Sequence, residues 1–458
     1  MKNIIFTAAM MFTAAIWAQQ PADYALVAGV IKNKTQDFKI TSRDQSYSKN
    51  LKIAADGSFK DTIKGAEGPY FIYDGKSFAS LYIQKGSSMI ISADAQDLNA
   101  TITFSGKGSE ISTYMLTKIQ TKNKAAAETA VSIYALEQTA FKDKASQIKN
   151  SLAAVLESSA GLSDAFKARE KRNIQYGYLG ELAKYEKYHE YFAKKPGFKV
   201  SENFLAEMST VSFSNAEDYK YCDDYKALVV FHYSEKAQAA AKKEGIAEDL
   251  ALLREYAQIP EESIREDLLF AAAQTGITFT DDLKAYYKIF MDGSANEEHK
   301  KTITASYNEL LKVGRGLPSP KFTNYENYSG GTSSLDDFKG KFVYIDIWAT
   351  WCGPCKAEIP SLQKIETAYH GKNIAFVSIS VDKAKSHDKW KEMIAKEKMG
   401  GIQLFADKDF DSQFIKDYLI RGIPRFILID PQGKIVSASA PRPSDEAALV
   451  QLLTKLGI

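Results

Sequence analysis

Cysteine is scarce in this chain: three residues among 458, at positions 222, 352 and 355. A disulfide framework of the kind that staples small secreted domains is excluded by that count alone. Charge of one sign is also missing. Fifty-nine basic residues stand against 57 acidic ones, spread along the chain without a block. Nucleic acid and anionic membrane are therefore not indicated as partners. The five histidines, at 189, 232, 299, 370 and 387, are scattered. Long apolar runs are lacking except at the start, where Ile4 to Trp17 carries no charge. With Lys2 before it and Ala18 after it, that run reads as a secretory signal peptide over 1–18. It is short for a spanning helix, which needs about 20 residues. The expected localisation is the periplasm or cell envelope.

What remains is a chain too long for one core, with several domains expected. Residues 22–106 carry short β-branched and aromatic runs separated by turn formers such as Asp56-Gly57, Gly65, Gly75 and Lys85-Gly86. They read as a small antiparallel β-sandwich or barrel. Residues 107–312 are rich in Ala, Lys, Glu and Leu and read as mainly α-helical. Within them Tyr178, Leu182, Tyr185, Tyr188 or His189, and Phe192 recur at steps of three and four. That spacing places an aromatic stripe on one helix face, expected to be core. Gly316-Leu317-Pro318-Ser319-Pro320 marks the entry to a last domain, 313–458, in which strands alternate with helices.

Two of the three cysteines fall in that domain, in Asp346-Ile-Trp-Ala-Thr-Trp-Cys352-Gly-Pro-Cys355-Lys-Ala-Glu358-Ile-Pro360. Zinc needs four ligands and the pair supplies two, so no metal and no cofactor is assigned. A static staple closes too small a loop to remove much chain entropy. A reversible redox pair explains more residues. A buried strand over Phe342–Trp348 runs directly into a helix, placing Cys352 at the helix N-terminus. There the macrodipole and free N–H groups favour a thiolate. Cys352 is then the attacking nucleophile and Cys355, one turn on, the resolving thiol. Gly353 permits the tight turn and Pro354 suits the first helical turn. Asp346 interrupts an apolar strand, where a carboxyl has a raised pKa and serves as a candidate proton carrier. Glu358 reads either as a helper of the thiols or as a solvated first-turn carboxylate.

This segment resembles the active site of thioredoxins. Trp-Cys-x-x-Cys followed by Glu358-x-Pro360, with the segment Val377–Asp382 followed by Trp390, is similar to the exported TlpA/ResA-like branch. The front of the chain looks more loosely like the β-rich domain of Bacteroidetes-type exported proteins. The resemblance implies a thioredoxin-like fold for 313–458 and a protein thiol–disulfide oxidoreductase activity. It implies that Arg421-Gly422-Ile423-Pro424 carries a cis bond at Ile423–Pro424 facing the cysteines. Ile423, Pro424, Trp351, Gly353 and Pro354 would contact an extended substrate. Where thioredoxin has a lysine near the buried Asp, this chain offers only Ser378 and Ser380. Arg425 takes the place of a usual Thr, which puts a positive charge beside the substrate path. Expected partners are protein disulfides and a membrane thiol–disulfide electron donor. The alternatives are an oxidase or isomerase using the same site, or an envelope binding protein whose redox module is auxiliary. A peroxiredoxin is disfavoured, because its Pro-x-x-x-Thr-x-x-Cys setting is absent.

Two further features carry little chemistry. Asp407-Lys-Asp409-Phe-Asp411 begins like a calcium loop, but Ser412 replaces the required Gly and Tyr418 the terminal Glu. Asp409 to Asp411 are expected to cap a helix instead. Cys222 reads as a lone thiol.

Overall fold

The computed structural model describes residues 23–34, 37–128 and 132–458. The candidate signal peptide at 1–18 lies outside them. Among the described residues no helix is long and apolar enough to cross a membrane. The chain forms two compact units, one made of residues up to Val211 together with Glu217–Leu228, the other of Ser212–Ala216 and Val229–Ile458.

In the first unit, period-two alternation builds strands. Ser88–Asp94 sends Met89, Ile91 and Ala93 inward and their neighbours outward. Two four-stranded sheets result. One runs Ser58–Ile63, Ala25–Lys32, Ser88–Asp94, Thr103–Lys107, and the other Ser48–Asn50, Lys39–Ser42, Gly68–Tyr73, Phe78–Ile83. Both contribute to a single core that includes Val27, Ile40, Ile72, Leu81 and Ile91, which makes the domain a sandwich. It is not wholly antiparallel, because Ala25–Lys32 pairs parallel to Ser88–Asp94. The strand Ser58–Ile63, which follows the Asp56-Gly57 turn, pairs with Ala25–Lys32. At that parallel pair a Cβ on Gly29 would lie 1.7 Å from the Ile91 carbonyl oxygen, so only glycine fits.

The helices Glu110–Ala127, Gln138–Ser158 and Asp164–Phe192 belong to the same unit. The aromatic stripe is core at Tyr178, Leu182, Tyr185 and His189. Tyr188 and Phe192 are exposed and pack instead on Tyr134. The stretch 107–312, expected as one helical region, is divided between the units. Its later helices Glu248–Ala257, Glu262–Gly276, Leu283–Gly293 and Glu297–Leu310 belong with the C-terminal domain. Helical periodicity marks which face is buried, but not which neighbour buries it.

The C-terminal sheet has seven strands in the order Thr332–Ser333, Tyr325–Asn327, Ile402–Phe405, Ile374–Ser380, Phe342–Trp348, Arg425–Ile429, Ile435–Ser437. Phe342–Trp348 and Ile374–Ser380 run parallel at its centre, and their near-continuous burial explains their near-continuous apolar sequence. The helix Gly353–Ala368 follows the first of them, and Glu446–Lys455 closes the chain.

Candidate active site

The site is built where the central strand ends. The Trp348 carbonyl accepts the Val381 N–H at 2.9 Å, and the Cys352 N–H turns back to the Ala349 carbonyl at 3.0 Å. The loop between is held by Asp382, which is fully buried. One of its oxygens accepts the Thr350 N–H and the Ser380 hydroxyl, and the other accepts the Thr350 hydroxyl, each at 2.8 Å. Sequence reasoning gave Asp382 no role. The available signal was a carboxylate placed directly after an apolar strand that ends beside the cysteines.

Cys352 is the N-cap of the helix Gly353–Ala368, with extended backbone at φ −80 and ψ 103. Its sulfur accepts the Cys355 N–H at 3.1 Å, the position an oxygen fills in an ordinary cap. Pro354 stands in the first turn, where its missing N–H costs nothing. Pro360 sits inside the helix and deprives Lys356 of a carbonyl partner. Cys352 and Cys355 are joined as a disulfide with Cα atoms 5.3 Å apart. Both are buried, whereas Trp351 beside them is 61% exposed and tilts against Phe410 at 6.3 Å. Gly353 and Pro354 are exposed at the helix mouth.

Asp346 lies on the central strand opposite Ser378 on one side and Phe426 on the other. Burial is the main reason its carboxyl is pushed up to about 8; a hydrogen bond from Ser378 opposes the rise and the charges of Glu358 and Glu366 add to it. Glu366 is itself pushed up to about 7 by burial. Glu358 is buried rather than solvated. Its two oxygens accept the Ser444 N–H at 2.9 Å and the Ser444 hydroxyl at 2.8 Å, tying the active-site helix to the chain that leads into Glu446–Lys455.

The Ile423–Pro424 bond is cis. Arg425, the first residue of its strand, pairs with Ile347, so the cis-proline loop precedes that strand at the end where the central strand exits. Arg425 itself does not present a charge to solvent. It is 2% exposed, its guanidinium lies 4.8 Å from the Phe279 ring centre, and burial lowers its pKa to about 10. The reason is alternation: in the register with Ile347 its side chain leaves the opposite sheet face from Asp346 and Phe426.

Elsewhere, the Asp407 to Asp411 stretch forms no helix cap. Asp409 adopts φ 47 in a single 3-10 turn, and Ser412, hydrogen-bonded to Asp407, precedes the helix Gln413–Asp417. Cys222 is buried in the first unit. The same unit holds a cavity of about 300 Å³ lined by residues that include Ile148, Leu152, Tyr134 and Tyr178.

A vicinal cysteine pair at a helix mouth, on a parallel-centred sheet beside a cis-proline loop, defines a thioredoxin-like thiol–disulfide site. Comparison with known proteins agrees. The AhpC/TSA family model matches residues 314–438. Thioredoxin-like protein YneN of Bacillus subtilis is 31% identical over 123 residues, which cover 27% of this chain and 69% of that protein. Thiol-disulfide oxidoreductase ResA of Bacillus subtilis is 29% identical over 126 residues, 27% of this chain and 66% of that protein. The chain thus spans about two thirds of the length of these relatives. A crystal structure of the thioredoxin domain of a thiol-disulfide oxidoreductase from Bacteroides vulgatus is 32% identical, covering 31% of this chain and 98% of that one, with a TM-score of 0.29. This chain belongs to the thioredoxin-like thiol–disulfide oxidoreductases.

Proposed function

We propose that the protein is an exported reductase of disulfides in other cell-envelope proteins, working through Cys352 and Cys355. The observation that carries this reading is the Cys352 sulfur at the helix N-terminus, accepting the Cys355 N–H. A sulfur so placed is stabilised as a thiolate and as a leaving group.

In the reduced protein the Cys352 thiolate attacks one sulfur of a substrate disulfide. A Cys352–substrate bond forms, the substrate S–S bond breaks, and the first substrate thiolate leaves and takes a proton from water. Cys355 then loses its proton to the Asp346 carboxylate and attacks the Cys352 sulfur. The mixed disulfide breaks, the second substrate thiolate departs and is protonated, and the Cys352–Cys355 disulfide remains. The substrate gains two electrons and two protons. The cis-proline loop at Ile423 offers backbone to an extended substrate segment, with Trp351, Gly353 and Pro354 at the helix mouth. A membrane thiol–disulfide protein restores the dithiol.

Insulin reduction with dithiothreitol as electron source tests the reading. The native protein accelerates insulin precipitation; an inert native protein overturns it. A Cys352–Cys355 potential as oxidising as about −120 mV would instead identify an oxidase.

A further inference from the structure

The cis-proline loop is held from outside the thioredoxin-like domain. Arg421 donates from Nη1 to the Gln274 carbonyl at 2.8 Å and from Nη2 to the Ser306 hydroxyl at 2.9 Å. Gln274 lies in the last turn of the helix Glu262–Gly276, where four carbonyls lack intrahelical donors. Those of Ala273, Thr275 and Gly276 are taken by N–H groups of Ile277, Thr278, Phe279 and Thr280. The Gln274 carbonyl is taken by Arg421, a cation at the negative end of a helix. The chain then enters a loop whose Phe279 ring takes the Arg425 guanidinium and borders the space beside Gly422. A Cβ on Gly422 would lie 3.6 Å from Phe279 Cζ, and the Arg425 guanidinium is 4.8 Å from the ring centre. The Phe279 carbonyl accepts the Ser439 hydroxyl at 3.1 Å, which fixes the residue from its other side. Phe279 remains partly exposed.

Arg421 and Arg425, which flank the cis bond, are therefore gripped by the helical segment, 421 by hydrogen bonds and 425 by a cation–π contact. Between them, Ile423 and Pro424 are those proposed to receive substrate. The buried Arg425, with its Nε and Nη1 lacking hydrogen-bond partners, takes its compensation from the Phe279 ring and the nearby Asp281 carboxylate. An arginine at this position is intelligible as the anchor of that grip.

We propose that the segment Gln274–Asp281 is one wall of the substrate cleft. Phe279 acts as a positioning residue that fixes the cis-proline loop with which an extended polypeptide segment pairs. The inference rests on the reductase reading and adds what the later helices contribute to it: selection of polypeptide over small disulfides. A small disulfide needs only the cysteine pair, while a polypeptide must pair with the loop.

The test compares full-length native protein with Phe279→Ala, Phe279→Tyr and Arg421→Ala, using insulin and 5,5′-dithiobis(2-nitrobenzoate). In Phe279→Ala, kcat/KM for insulin falls about tenfold, chiefly through KM, because small displacements of a positioning surface are costly. Reduction of the small disulfide and the Cys352–Cys355 potential stay unchanged. Phe279→Tyr restores most of the loss, and Arg421→Ala follows Phe279→Ala. Amide exchange at Gly422 and Ile423 rises about tenfold in Phe279→Ala. Equal losses on both substrates, or an unchanged insulin KM, overturn the wall even where the native protein is an active reductase. A native protein inert toward insulin overturns the reductase reading itself, and the role of Phe279 in polypeptide reduction with it.

Discussion

Two buried cysteines in this chain live under opposite conditions. Cys222, 1% exposed, donates its S–H to the Arg169 carbonyl at 3.8 Å and lies 3.9 Å from the Asp218 carboxylate. Burial, then the negative charges of Asp218 and Glu170, push its thiol up to about 12. Arg172 stands nearby, but its guanidinium is engaged with both oxygens of Asp218. Cys352 is almost as buried, at 4%. Its neighbours differ in kind: an N–H donor at 3.1 Å and the N-terminal end of a sixteen-residue helix. Burial is the larger cause at Cys222 and is shared by Cys352, so the two differ in what faces the sulfur. A donor and a helix N-terminus oppose the effect of burial at Cys352, whereas acceptors and carboxylates add to it at Cys222.

The widest separation should come from replacing each sulfur. Cys352→Ser is expected to lower insulin reduction by about 10³-fold or more, since the attacking thiolate is gone. Cys222→Ser should stay within about twofold of native. A Cys222→Ser loss matching that of Cys352→Ser would break the contrast. The next effect concerns Asp346. With its carboxyl held at about 8, the base proposed for Cys355 becomes available as pH rises through that value. Asp346→Asn is expected to slow the resolving step on the order of 10²-fold and to remove the inflection near pH 8. The same shift fixes the sign of a stability effect. The folded pKa lies above the unfolded value, so this contribution to stability is complete below about pH 4 and is lost as pH rises toward 8. Glu366, pushed up to about 7, acts in the same direction. Urea unfolding at pH 5 and pH 8 should show native protein losing stability over that interval and Asp346→Asn losing less. A native curve that rises with pH would contradict the assignment.

Much of the site was legible because its constraints are local. A helix-mouth cysteine, a second cysteine one turn later and a proline in the first turn are fixed by spacing, and the strand before them by its apolar run. Asp346 was legible as a charge where none belongs. Glu358 was misread as a possible solvated residue because its partner, Ser444, is 86 positions away. Arg425 was misread for the same reason: the ring that covers it belongs to Phe279, in a helical stretch with no sequence link to the proline loop. The division of the helices between two units was illegible on similar grounds, since period gives the face of a helix and not its destination. Short strands such as Tyr325–Asn327 and Thr332–Ser333 carry too few residues for alternation to register.

A smaller effect should follow from loosening the loop that presents Cys352. Asp382→Ala removes an acceptor for three groups and leaves the Thr350 N–H buried without a partner. Such losses cost about 2–3 kcal/mol. We expect chemical denaturation to register that loss, and insulin reduction to fall about tenfold as the nucleophile loses its fixed position. Asp382→Asn, which keeps one carbonyl acceptor, should recover part of both. An Asp382→Ala protein of native stability would show that the loop is held by something else.

The smallest expected effect sharpens the contrast from its inert side. If carboxylates helped hold Cys222 in its thiol form, Asp218→Asn should speed its alkylation by iodoacetamide in the folded protein. Burial is the larger cause and Asp218 the second, so the gain should be only a few-fold. The comparison needs the variant's fold checked by circular dichroism, because Asp218 also binds Arg172 and the Tyr176 hydroxyl. Under the same conditions, reduced Cys352 should alkylate far faster than Cys222 in either protein. Should folded Asp218→Asn bring Cys222 to the rate of Cys352, then charge rather than burial silences the lone thiol, and its neighbourhood lies one substitution from reactivity.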